Sequence, residues 1–551
     1  MSGKSRFYQV ACSIVLLCLL LAPVFARQVQ NLQKIVPSDS YIPAWISDLS
    51  IEQGLVVPSS AGPWSIAELQ HHLSRIEREK LSRSSQSRYD ILARELSGTQ
   101  MDSPHGFSGT GSLTLGLEGY FHADDTDFTT EHDWYWDQER RHPLLLVDGE
   151  AWLGPAMYLY SNFGIRNNRF ASADPSSVMP TDSLVFTPKV SSNLPGSGTH
   201  DFDTPSRAFI ATGNSYASLQ FGRDLISWGP GYSGNLVIGD HAKYHEYVRL
   251  ALFSERFKFT SLTMFMDPPG YTTRHRHPYV PAAADDPTIR MFLAHRIEFV
   301  PASWLRVEIS ENVMYQDTQF NAKYLNPLFI FHNLSNRSQF NAIADLTIMA
   351  TVLPRLHVYA SCTVDQVTAP TEGNQQPGAL GYQIGTKGIV PRERGTWRIT
   401  AEATYTDPFL YLRDKVDFIV MTRERDQFWG YIPHREFLGY RYGGDALVGT
   451  LAVEWMGLHG HSGGAELFVM GHGQTNIDTE FKFGEMPVVS TPSNPVTWVY
   501  RAGLWGAWEM ADILHGSTRI WARIDALHRI EEATQHKATD VQLILGVSQK
   551  W

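Results

Sequence analysis

The chain has 551 residues, 43% apolar, 12% aromatic and only 19% charged, with a formal net charge of −11. It is too apolar and aromatic for disorder, and too acidic for a nucleic-acid partner, which needs a basic surface. Its cysteines, Cys12, Cys18 and Cys362, exclude a disulfide framework and any zinc site built on several thiolates.

Lys4 and Arg6 precede an apolar run from Val10 to Leu21, which closes in Ala22-Pro23-Val24-Phe25-Ala26. A cationic start, a short apolar run and compact residues before a cut after Ala26 describe a secretory signal peptide over residues 1–26. The run is shorter than a bilayer-spanning helix requires. Its removal takes two positive charges and brings the chain from −11 to −13. No later run is long and apolar enough for a membrane helix. The expected product is an exported protein or an outer-membrane barrel, whose strands hide their apolar face in alternation.

Residues 27–105 read as a small helical module. Ser65-Ile66-Ala67-Glu68 has the spacing of a capping box, in which each side chain satisfies an orphan backbone donor. Ile66, Leu69, Leu73 and Ile76 follow at helical spacing, then Tyr89, Leu92 and Leu96, with Gly98 as a stop. A shorter helix is expected near Ala44–Gln53, and His71-His72 on a wet face.

From residue 106 to 551 the period becomes two. Leu113, Leu115 and Leu117 alternate with Thr114, Gly116 and Glu118; Leu356, Val358 and Ala360 alternate with His357, Tyr359 and Ser361. Segments of about ten residues match a tilted membrane strand. Short turns such as Leu353-Pro354-Arg355 alternate with long polar stretches such as 171–205 and 267–288. Trp304, Trp397, Trp455, Trp498 and Trp521 lie near segment ends, as in an interfacial belt. The last segment carries Val541, Leu543, Leu545 and Val547 on one face and ends on Trp551. An aromatic terminus of this kind resembles the signal read by the barrel-insertion machinery. About 18 alternating segments can be counted, including 144–160 and 415–423, which predicts an all-β transmembrane barrel of about 18 antiparallel strands.

Catalytic signatures are lacking: there is no nucleophile elbow, phosphate loop or nucleotide fingerprint. His241 and His245 have a ligand-like spacing only if helical, and they run into a strand. Arg274-His275-Arg276-His277 and His459-Gly460-His461 read as solvated loops, and Asp285-Asp286 as a turn. Glu308, Glu311 and Asn312 read as lumen polarity rather than a hydrolytic pair. Neither a metal nor a cofactor is expected.

The densest unusual stretch runs Gly222-Arg223-Asp224-Leu225-Ile226-Ser227-Trp228-Gly229-Pro230-Gly231 and on to Gly234-Asn235. Glycine and proline at this density force tight turns and close backbone approach. Trp228 offers an apolar face, with the planar polar groups of Arg223 and Asn235 nearby in sequence, the pairing that commonly holds a sugar. A turn-rich plug in which Trp228 merely packs is the plainer alternative.

This stretch resembles the signature region of the Wzi-type capsule assembly family. Gly54-Leu55 with Trp64-Ser65 entering a helix, and Leu438-Gly439-Tyr440-Arg441-Tyr442-Gly443-Gly444-Asp445, are similar to further segments of that family. The resemblance implies an 18-stranded outer-membrane barrel with periplasmic helices and a lectin-like role toward capsular or surface polysaccharide, without enzyme activity. Arg223, Trp228, Gly229, Gly231 and Asn235 are the residues on which polysaccharide binding is placed. Outer-membrane lipids and the insertion machinery would be its other partners, and a monomer is expected. Three other functions remain: a diffusion channel with a charged lumen, an outer-membrane hydrolase or lipid-modifying barrel, and an attachment or antigen role for the long loops.

Overall fold

A computed structural model describes residues 29–551 apart from 102–103, 125, 129–139, 168–188, 196–199, 204–205, 268–286, 329, 332–338, 367–376, 414, 427–429, 458–459, 483, 485–486, 488 and 514. The signal segment, most of 171–205 and 267–288, Arg274 to His277, Asp285-Asp286 and His459 therefore lie outside the described residues.

Eighteen antiparallel strands form a closed transmembrane ring. The last, His536–Lys550, pairs with the first, Phe107–His122, and Trp551 N–H and O both bond Leu113. The period-two pattern sorts the faces: Asp540, Gln542 and Ile544 are fully buried inward, while Leu545 is 53% exposed outward. Ile309, Ile384, Leu467 and Leu504 are likewise exposed on the outer wall. So continuous an apolar band is incompatible with water and fits a bilayer. Trp304 and Trp397, both more than 40% exposed, sit where the chain leaves a short turn for the next strand.

Two details of the strand count differ from expectation. Segment 144–160 contains a hairpin, Leu145–Leu153 and Met157–Asn167, because Gly154 at φ +56° turns the chain inside it. Segment 415–423 is not in the wall. Ile419–Asp426 pairs with Gly430–Phe437 as a separate two-stranded hairpin, since buried Phe418, Ile419 and Val420 pack into the lumen core. One missed hairpin offsets one misplaced strand, so the total is unchanged.

Among the described residues, three α-helices cover the short-turn end: α1 (Tyr41–Glu52), α2 (Ile66–Leu73) and α3 (Arg83–Glu95). Ile46, Leu49, Leu69, Leu92 and Leu96 form their shared core, each such burial contributing about 1.5–3 kcal/mol. Ser65 caps α2 by accepting from Glu68 N–H at 3.2 Å. The reciprocal half of the expected capping box is absent, because the Glu68 carboxylate is taken by the ammonium of Lys258 on the barrel wall. Asp48 of α1 accepts both Nε (3.0 Å) and Nη2 (2.7 Å) of wall residue Arg398. His71, at the exposed edge of α2, bonds Ser215 O at 2.8 Å. The helices are thus fastened to the wall by charge as well as apolar contact.

Candidate functional site

Segment 225–244, between the strands Ala217–Asp224 and His245–Phe253, drops into the lumen instead of arching over it. Its first turn meets the incoming N-terminal segment: Gly229 N–H bonds Ser60 O at 3.0 Å, and Trp228 bridges to Ala61 and Ile238. Trp228 is 1% exposed, with Arg296 stacked at 5.6 Å from its ring. Gly229 has φ +140°, and a Cβ there would come within 2.4 Å of Asn235 Oδ1. Asn235 Oδ1 accepts from Gly231 N–H at 2.9 Å and its Nδ2 donates to Ser227 at 2.8 Å. Trp228, Gly229, Gly231 and Asn235 therefore form one folded turn. Arg223 does not join them. It lies on the outward face beside exposed Phe221, donating to Glu246 at 2.7 Å and stacking on Tyr244 at 4.0 Å.

The described residues of a second long segment, 407–445, enter the lumen and lock onto the first. Tyr411 OH donates to Leu236 O at 2.6 Å and accepts from Tyr440 N–H at 3.0 Å. Gly239 N–H bonds Leu438 O at 2.8 Å, and the backbones pass so closely that a Cβ on Gly439 would sit 2.4 Å from Leu236 O. Ile226, Trp228, Leu236, Ile238, Leu410, Tyr411, Leu438 and Tyr440 make this plug a packed core. His241 Nε2 bonds Phe437 O at 2.8 Å, and burial holds its pKa below the usual histidine range.

The wall grips the plug through buried carboxylates. Glu402 accepts from Tyr232 N–H (2.7 Å) and from the N–H (2.8 Å) and hydroxyl (2.5 Å) of Ser233. Tyr359 OH donates to the same carboxylate at 2.5 Å. Glu308 is shared by Arg296 and Ser60, so it serves the docking of the N-terminal segment. Its sequence neighbour Glu311 points the other way.

Beyond the plug, on the long-loop side, opens a chamber of about 1050 Å³. Tyr232, Lys243, Arg441, Tyr442, Arg501 and Arg529 are among its lining groups. Arg501 pairs with Glu466 and lies 4.9 Å over Phe468. Aromatic faces beside fixed guanidinium groups can stack on and hydrogen-bond a hydroxylated ligand. Sequence reasoning missed Glu402 and Arg501, although both are charged residues on the inward face of alternating strands. Arg441 and Tyr442 fell within a glycine-rich segment already singled out. Among the described residues no cluster suited to a metal ion occurs.

The model of the family described as capsule assembly protein Wzi matches residues 156–462. In shape the chain is similar to Wzi of Escherichia coli, an outer-membrane protein involved in group 1 capsule assembly and described as a carbohydrate-binding β-barrel. That similarity covers 93% of this chain and 98% of that one, at 13% identity and a TM-score of 0.57. OccD3 (OpdP) of Pseudomonas aeruginosa is more distant, with a TM-score of 0.40 at 7% identity over 82% of this chain and 95% of that one. OccAB3 of Acinetobacter baumannii has a TM-score of 0.38 at 10% identity over 81% and 100%. No curated protein matches the sequence.

Proposed function

The chain belongs to the capsule assembly protein Wzi family, and on that premise we propose that it binds and organises surface polysaccharide as a non-enzymatic outer-membrane barrel. The carrying observation is the pairing of a packed plug with a wide aromatic and cationic chamber on one side of it. A solute channel needs a continuous aqueous path, whereas a glycan-holding surface needs a firm floor. The helices lie in the periplasm, the long loops face the cell exterior, and the monomeric barrel sits among outer-membrane lipids after insertion guided by its C-terminal strand.

In this reading Trp228, Gly229, Gly231 and Asn235 act by holding the chamber floor. Arg223, on the outward face and stacked over the buried ring of Tyr244, offers a cation to a polysaccharide leaving the mouth. Sugar contacts inside the mouth fall to Lys243, Arg441 and Arg529.

The test is binding of the detergent-solubilised protein to immobilised polysaccharide extracted from the surface of the source bacterium. Saturable binding that weakens at least fivefold in the Lys243→Ala/Arg529→Ala double variant is the expected result. Equal binding by the folded double variant removes the mouth as the site.

A further inference from the structure

A second cavity lies on the other side of the plug, between it and α1. It measures about 330 Å³, at the lower end of the size usual for a small-ligand site. Leu225 and Asp240 line both chambers, so only the plug divides them. Pro43, Ala44 and Ser47 of α1 form its floor, and Gly229 and Asn235 its roof.

Its chemistry differs from that of the surrounding wall. Most inward cations of the wall are engaged: Arg398 by Asp48, Arg296 by Glu308, Arg306 by Glu298 and Lys258 by Glu68. Lys387 also faces inward, in register between buried His357 and Thr400. Its ammonium makes no hydrogen bond or ion pair with any described residue, and it borders the cavity. Asp48, Glu402 and Glu454 act on it only through space, and a buried cation without a directly paired carboxylate is costly unless water or an anionic ligand meets it.

His357 adds an acceptor. The Thr351 hydroxyl proton is committed to Leu55 O at 2.6 Å, so the 3.2 Å contact between that hydroxyl and His357 Nδ1 requires Nδ1–H to donate. Nε2 is then the unprotonated nitrogen, suited to accept from a ligand hydroxyl. Ser47 supplies a hydroxyl, and Trp64 and Tyr359 supply ring surface. Asp39 and Asp240 also line the cavity and can accept from ring hydroxyls, so a fixed cation, a neutral imidazole acceptor, hydroxyl acceptors and two rings in a space of this size suit one hydroxylated ring whose carboxylate meets the cation.

We propose that this inner chamber is a binding site for a single anionic sugar of the hexuronate type, with Lys387 meeting the carboxylate and His357 Nε2 a ring hydroxyl. The site is separate from the mouth, and its occupancy does not depend on polysaccharide binding there.

The experiment titrates the full-length protein in detergent with free D-glucuronate and D-glucose, following the tryptophan fluorescence to which Trp64 contributes. Glucuronate should give a saturable change with at least tenfold higher affinity than glucose. Lys387→Met should weaken glucuronate at least tenfold, Lys387→Arg less than threefold, and Ala44→Trp, which fills the floor, should abolish the response. Heat-modifiable gel migration confirms that each variant is a folded barrel. No saturable response in the parent protein, or equal glucuronate affinity in folded Lys387→Met, overturns the proposal. Polysaccharide binding by Lys387→Met is expected to persist, so failure of the inner site leaves the mouth assignment standing.

Discussion

Glu402 holds Ser233 by two hydrogen bonds, from the backbone N–H at 2.8 Å and from the hydroxyl at 2.5 Å. One residue belongs to the wall and the other to the tip of the segment folded into the lumen, 169 positions apart in sequence. Through this contact the barrel determines where its own plug ends.

Glu402→Ala should therefore loosen the plug without unfolding the wall. Each hydrogen bond to a buried carboxylate contributes about 1.5–3 kcal/mol, and three donors from the tip are lost together. In planar bilayers the parent protein should be silent and the variant should show conductance steps. Steps from the unaltered protein would instead identify an open pore and favour the channel reading.

Trp228 is a packing residue in this structure, being 1% exposed and wedged between Ala61 and Ile238. Trp228→Ala should cost about 3–5 kcal/mol, read as a lower urea midpoint of the plug. Polysaccharide binding should weaken because the chamber floor moves, while heat-modifiable migration still reports a folded barrel. Unchanged binding would separate the signature turn from function.

The helical module depends on Glu68. Among the described residues, removing it leaves the buried Lys258 ammonium hydrogen-bonded to Ser59 Oγ and Ala61 O, with Glu298 acting on it from a distance. Glu68→Ala should destabilise docking by about 3–5 kcal/mol, and α2 should become sensitive to protease under conditions in which the parent resists. Glu68→Gln, which keeps an acceptor, should fall between the two.

Histidine burial gives the plug a pH dependence. His241 lies among Glu436, Arg441 and Asp240, and desolvation outweighs the acidic neighbours to lower its folded pKa. A released plug would return it to about 6.5. Below that value the released state binds a proton that the folded state refuses, so this contribution is complete above pH 6.5 and is lost as pH falls. Conductance, absent at pH 7.5, should appear more often at pH 5, and His241→Gln should flatten the dependence.

The wall was legible because alternation follows directly from burying one face of a strand, and Val541 to Val547 show it without interruption. The errors at 144–160 and 415–423 share a cause. Apolar residues in a hairpin, or in an inward-folded segment, look locally like those of a wall strand. Three-dimensional closure determined their placement, and one sequence window contains no record of it. The signature turn was visible through its glycines. The separation of Arg223 from Trp228 was not, because Arg223 still belongs to a strand, where its odd position sends it outward. Glu402 was hidden for a different reason. A mid-strand glutamate reads simply as lumen polarity until the segment it grips, more than 160 residues earlier, is in place.

Polysaccharide holding is tested most directly by deleting the gene in the source bacterium and measuring how surface polysaccharide divides between cells and medium. Total polysaccharide should be unchanged, with a shift from the cell-bound to the released fraction that the parent protein restores and the Lys243→Ala/Arg529→Ala variant does not. An unchanged cell-bound fraction in the deletion strain would contradict polysaccharide holding.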